Sequence, residues 1–184
     1  MNQHDMTRNM VLAALFAALT AIGAFLQIPT GTVPITLQFL FTALAGLLLG
    51  WKWGAISQLL YVGIGLLGLP VFTQGGGIGY VLQPSFGFLL GLIPAAAVIG
   101  AMTARRTGYL TVLAAVLVGD LILYAVGVPY MYLILHVYMQ SAKTFPALLA
   151  AMLVYVPGDT LKIVVVTALV PVLRRTLAKA VPNL

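Results

Sequence analysis

Apolar runs of membrane-crossing length, punctuated by short stretches of Pro, Gly and basic residues, fill almost the whole chain. A helix needs about 20 apolar residues to cross the roughly 30 Å hydrocarbon core of a bilayer. Six runs stand out: 9–28, stopped by Pro29; 36–50, followed by the interfacial pair Trp51 and Trp53; 54–69, short and stopped by Pro70; 84–103; 109–128; and 145–173. The pattern predicts an all-α polytopic membrane protein, with six transmembrane helices in a single transmembrane domain over 1–184. A short tail with Arg8 precedes the first run, as in a signal peptide. Everything after that run is equally apolar, however, so cleavage would only expose another membrane segment.

Composition narrows the class further. The chain is 62% apolar and 7% charged, against about 45–50% and about 25% in soluble proteins. A water-soluble enzyme, a disordered tail and a nucleic-acid binder are excluded. With 9 basic and 3 acidic residues the net charge is +6, and its placement orients the bundle. Arg8, Lys52, Arg105, Arg106, Arg174, Arg175 and Lys179 fall on one side of a six-span arrangement, Lys143 alone on the other, and Lys162 within a span. The positive-inside rule then makes both termini cytoplasmic.

The chain has no cysteine and no glutamate; its acids are Asp5, Asp120 and Asp159, and its histidines His4 and His136. That inventory predicts no catalytic residues, no metal site and no cofactor. Gly63-x-Gly65-x-x-Gly68 matches a dinucleotide fingerprint in letters only, inside an apolar span with no strand before it. No phosphate loop occurs, so any energy-driven work needs another subunit to hydrolyse nucleotide.

The outer connections are the elaborate ones. The first, Pro29 to Gln38, is uncharged and held by two prolines. The second, Leu69 to Tyr80, carries Gly75, Gly76, Gly77 and Gly79 and leads to Gln83 and Pro84. Such glycines let backbone approach a ligand and present its N–H groups; the run reads as a lid or as an interfacial hinge. The third, 129–146, carries Tyr130, Tyr132, His136 and Tyr138. The inner connections are short and basic. Elaborate loops confined to one face predict binding there.

Asp159 and Lys162 carry the main chemical signal. Three apart on a helix, they share a face. Lys162 precedes Arg174 by twelve residues, which places it roughly 18 Å from the inner surface. A charge at the bilayer centre costs about 2.5–3.5 kcal/mol, whereas a pair at this spacing returns only about 0.2–0.5 kcal/mol in water. A ligand or wet cavity is the natural partner; a self-paired bridge locking the sixth span to its neighbours is the alternative. Pro157-Gly158 weakens the helix just before the pair. Asp120, beside Gly119, reads either as a second polar contact or as a partner for Lys162. A carboxylate and an ammonium one turn apart suit a neutral polar ring bearing N–H donors next to a carbonyl.

Val33-Pro34-Ile35-Thr36-Leu37-Gln38, Gly68-Leu69-Pro70-Val71-Phe72 with Gly75-Gly76-Gly77, and Pro157-Gly158-Asp159-x-x-Lys162 together resemble the BioY family. That family is the biotin-specific substrate-capture (S) component of energy-coupling factor (ECF) transporters. The resemblance implies a six-helix bundle in the cytoplasmic membrane of a bacterium or archaeon, holding one biotin near the outer face. It further implies a transmembrane coupling subunit and two cytoplasmic ATPases as partners. The ureido ring of biotin has the donor–acceptor pattern argued above for Asp159 and Lys162. Thr36, Gln38, Gly75, Gly76, Gly77, Tyr80 and Ser85 complete the expected site. Ala13, Ala17 and Ala21, with Ala14 and Ala18 as a second register, supply the small-residue face on which the coupling subunit would dock.

The family pattern Gly-Pro-Thr-Gly-Gly here reads Gln83-Pro84-Ser85-Phe86-Gly87. No arginine lies in either short outer loop to hold the biotin carboxylate. Its expected partners are the amides of Gly75 to Gly77, the hydroxyls of Thr36, Tyr80 or Ser85, or water, with Lys143 as the next choice. Two rival functions follow from the same residues. A self-sufficient channel or secondary transporter needs a polar path to the cytoplasm, and an intramembrane enzyme needs a nucleophile with its base, or metal ligands.

Overall fold

The computed structural model describes residues 3–30, 33–106 and 108–180, and side chains as far as 173. Gly31 and Thr32 of the first outer loop, and the side chains of Arg174, Arg175 and Lys179, lie outside the described residues. Helix α1 (Gln3–Phe25) is followed by a small antiparallel ribbon, β1 (Gln27–Ile28) against β2 (Ile35–Thr36), in register Gln27 to Thr36. Next come α2 (Gln38–Leu66), a 3-10 helix Ile78–Leu82, α3 (Phe86–Met102), α4 (Tyr109–Leu133), α5 (Phe145–Met152) and α6 (Val156–Ala180).

Helix α2 is a hairpin. Gly50 takes φ 78°, a left-handed conformation that glycine adopts without strain, and the chain folds back there into limbs 38–49 and 51–66. The limbs run antiparallel: a Cβ on Gly54 would lie 2.9 Å from the Cα of Gly46, Thr42 meets Gln58, and Gln38 meets Tyr61. At 1.5 Å per residue they are about 18 and about 24 Å long, short of the full hydrocarbon thickness. The space above them is filled by the ribbon and by 67–85. Non-helical backbone is tolerated at membrane depth where protein encloses it.

Helices α1, α4 with its extension, α6 and α2 as a whole are long and apolar enough to cross a membrane; α3 is apolar but shorter. Counting the two limbs of α2 separately gives six crossings, the sixth made by α5 and α6 together. Helix α2 packs along α1 and α3, α3 along α4, and α6 leans on α2 and α4. Arg8, Lys52 at the hairpin tip, and Arg105 and Arg106 after α3 gather at one end, with the start of α1 and the end of α6. By the positive-inside rule that end is cytoplasmic.

Several boundaries differ from the pattern-based ones. The first helix ends at Phe25 and not at Ile28, because Gln27 and Ile28 pair as a strand. The fifth span continues through Pro129 to Leu133 and on through a wide π-type turn to Tyr138. A proline at an apolar helix position is accommodated in membrane helices. Only a short segment remains of the expected third loop. The sixth span is broken at 153–155, where four successive carbonyls, those of Ala150, Ala151, Met152 and Leu153, each accept from the N–H three residues on.

Candidate functional site

A cavity lies beneath the ribbon, between α2, α3, α4 and α6, and encloses about 580 Å³ including its open mouth. Its rim is 33–36 from the first outer loop; Thr73, Tyr80 and Ser85 descend from the second. Gln38 and Phe39 of α2 and Phe88, Leu89 and Leu92 of α3 add walls, and Leu123 and Tyr124 of α4 face Tyr155, Asp159 and Lys162. The lining mixes apolar and polar side chains, and both of its charged groups come from α6.

Asp159 and Lys162 are 6% and 7% exposed, so the pair faces the bundle and not lipid. The Lys162 ammonium lies 2.5 Å from one oxygen of Asp159 and donates to the Thr36 carbonyl at 3.2 Å. The other Asp159 oxygen accepts the Tyr124 hydroxyl. The pair thus ties α6 to α4 and to β2 and lines the cavity as well. An ammonium has three N–H donors and a carboxylate about four lone-pair sites. After these bonds one donor and about two acceptor sites remain among the described residues, next to the hollow.

Thr36 and Gln38 have a different part. The Thr36 hydroxyl donates to Gln38 Oε1 at 2.9 Å, and Gln38 Nε2 donates to the Tyr61 hydroxyl at 2.7 Å. Tyr61 in turn donates to the Val71 carbonyl. These groups build the floor and spend their bonding on one another. Tyr80 shares hydrogen bonds with Thr73 at 2.8 Å and Ser85 at 3.4 Å. Phe86, which replaces the family glycine, is buried in a row of rings between Tyr80 and Tyr130, so its bulk packs away from the cavity.

The glycine run does not reach the cavity, which corrects the expectation for Gly75, Gly76 and Gly77. The Gly75 N–H donates to the Phe72 carbonyl and the Gly77 N–H to Gly65. A Cβ on Gly76 would lie 2.0 Å from the Leu69 carbonyl oxygen. These glycines let the second outer loop fold tightly on itself and onto the end of α2. The partner-docking residues also divide. Ala13 and Ala17 are buried within the bundle and Ala21 is half-buried, while Ala14 and Ala18 face outward. Only the second register is open to a partner.

Asp120 lies one turn before Tyr124, within electrostatic reach of Asp159 and Lys162. Its buried Oδ1 has no hydrogen-bond partner among the described residues; Lys162 pairs with Asp159 instead. His136 stacks on Tyr132 near the outer end, away from the cavity lining. Sequence reasoning missed Tyr124, Tyr155 and Thr73. An isolated tyrosine inside an apolar run was the one signal for Tyr124.

The BioY family model matches residues 1–179. A probable biotin transporter BioY of Lysinibacillus sphaericus is 53% identical over 147 residues, covering 79% of this chain and 75% of that one. The biotin transporter BioY of Rhodobacter capsulatus is 41% identical over 188 aligned positions, covering 97% of each. This chain belongs to the BioY family. The crystal structure of an S-component for biotin from an ECF-type ABC transporter superposes with TM-score 0.83 at 30% identity, covering 95% of both chains. The three sequence segments that resembled BioY converge on the outer half of the bundle: the first forms the rim, the third supplies the ion pair, and the second folds into the loop that carries Thr73.

Proposed function

We propose that this chain is a biotin-capture subunit: a non-catalytic membrane protein that binds biotin from the outer side of the cytoplasmic membrane for ATP-driven uptake. The observation that carries this reading is the buried Asp159–Lys162 pair with bonding capacity left over at the edge of the cavity. A ureido ring fits that remainder. Its N–H groups donate to Asp159, and its carbonyl accepts the third N–H of Lys162. Phe39, Phe88, Leu89 and Leu92 would take the apolar bicycle. Hydrogen bonds to charged groups in a dry site are the strong ones, about 1.5–3 kcal/mol each.

ATP hydrolysis would fall to two cytoplasmic ATPases joined through a transmembrane coupling subunit that docks on the Ala14–Ala18 face of α1. The family membership and the likeness to an ECF S-component support this. Against a self-sufficient channel or carrier stands the inner half of the bundle. Its polar groups, Thr20, Thr42, Ser57 and Gln58, are fully buried and bonded to one another, so they leave no wet path.

Equilibrium binding of biotin to the purified chain, without ATPases, tests the reading. Asp159→Asn and Lys162→Met should each weaken binding by about 2 kcal/mol or more, roughly thirtyfold, with membrane insertion intact. Unchanged binding in both would remove the site assignment. Turnover of biotin into a product would point to an enzyme.

A further inference from the structure

A second hollow lies beside the first, between the end of α4, α5 and the first outer loop, and encloses about 740 Å³ including its mouth. Tyr155 walls both hollows. The inner surface of the second is aliphatic, from Met131, Ala147, Leu148, Ala151 and Met152, and its polar groups are Thr30, Tyr155 and Lys143. Lys143 is the one basic residue of the outer loops, and its ammonium has no ion pair among the described residues. We propose that this hollow seats the alkyl tail of the substrate and that Lys143 is the counter-charge for its terminal carboxylate. The proposal rests on the biotin reading above and assigns the end of the ligand that the ion pair leaves unheld.

Two observations favour this placement. The first cavity offers a carboxylate little. Its cation, Lys162, is already bonded to Asp159 and to Thr36, and a second anion there would meet the Asp159 charge. The Tyr80, Thr73 and Ser85 hydroxyls share two hydrogen bonds and keep only one donor among the three, and the amides of Gly75 and Gly77 are taken. The second observation is one of reach. Tyr155 precedes Lys162 by seven residues, about 10 Å along the helix axis. A tail of four methylenes leaving a head group held at Lys162 rises toward the level of Tyr155. There the boundary residue already bonds Thr30 and the Val33 carbonyl, and aliphatic walls followed by an ammonium match methylenes followed by a carboxylate.

Binding of biotin and of its neutral methyl ester, to the intact chain and to Lys143→Met, reads the charge directly. Expected is about a fivefold loss for biotin, the size of an exposed ion pair, with no change for the ester; Lys52→Met on the opposite face leaves the ratio as it was. Ala151→Phe, which fills the hollow, is expected to weaken biotin several-fold more than an analogue with the tail cut back to a methyl group. Equal losses for acid and ester, or no loss in either variant, would overturn the proposal. So would unchanged biotin binding in Ala151→Phe together with fewer copurified phospholipids, which would give the hollow to a lipid acyl chain. If the unaltered chain binds neither biotin nor its ester, it is the biotin reading that fails.

Discussion

Two polar regions lie inside this apolar bundle, and they are built on opposite principles. In the inner half, Thr42 donates to Gln58 at 2.9 Å, and Gln58 donates to Ser57 at 3.0 Å and to Thr20 at 3.3 Å. Ser57 and Thr20 then give their hydroxyl protons to the carbonyls of Gly54 and Phe16. Every member is neutral, sealed from solvent and bonded within the protein, and together they fasten α1 to the α2 hairpin. In the outer half neutral side chains surround a charged pair, and that pair retains a donor and acceptor sites beside a cavity. Satisfied neutral groups rigidify a core, whereas partly satisfied charged ones await a partner. Polarity in a membrane protein is thus functional where its bonding is incomplete and structural where it closes on itself.

The largest way to break this contrast is to unbalance the charges. Lys162→Met leaves the Asp159 carboxylate buried without its counter-ion and should lower stability by about 3–5 kcal/mol. The double variant with Asp159→Asn should recover most of that stability in thermal unfolding while biotin binding stays lost. If binding returned along with stability, the pair would be only a structural bridge. Next in size, Gln58→Leu strands hydrogen-bonding groups in the inner network and should cost about 1–3 kcal/mol of stability. Biotin affinity should stay within a factor of two; a large drop would mean that the inner network also shapes the site. The smallest effect is expected for Tyr124→Phe, which removes one donor to Asp159. It should weaken biotin binding by about 1 kcal/mol, measured by titration, with unfolding little changed.

The orientation of the bundle and the depth of the ion pair were legible because both are local properties. Residues three apart on a helix share a face whatever surrounds them, and basic residues mark the cytoplasmic end one by one. The glycine run was legible as a special backbone but not as a special site. A glycine written into a loop looks the same whether it leaves room for a ligand or for the Leu69 carbonyl. The alanines of α1 show the same ambiguity, since Ala13–Ala17 and Ala14–Ala18 have identical spacing and only packing against α2 decides which face is covered.

By itself, then, the sequence determined that this chain crosses a membrane six times, which end faces the cytoplasm, and that opposite charges at i and i+3 lie deep within it. Those follow from hydrophobic period, charge count and helix geometry, which need no knowledge of neighbours. Only the tertiary structure decided that Tyr124 and the Thr36 carbonyl close around Asp159 and Lys162, that the sixth crossing breaks at 153–155, and that Tyr155 stands between two hollows. Those contacts join residues up to 126 positions apart. They exist because the short limbs of the α2 hairpin leave room in the outer half of the bundle, a consequence of how helices pack and not of any one segment.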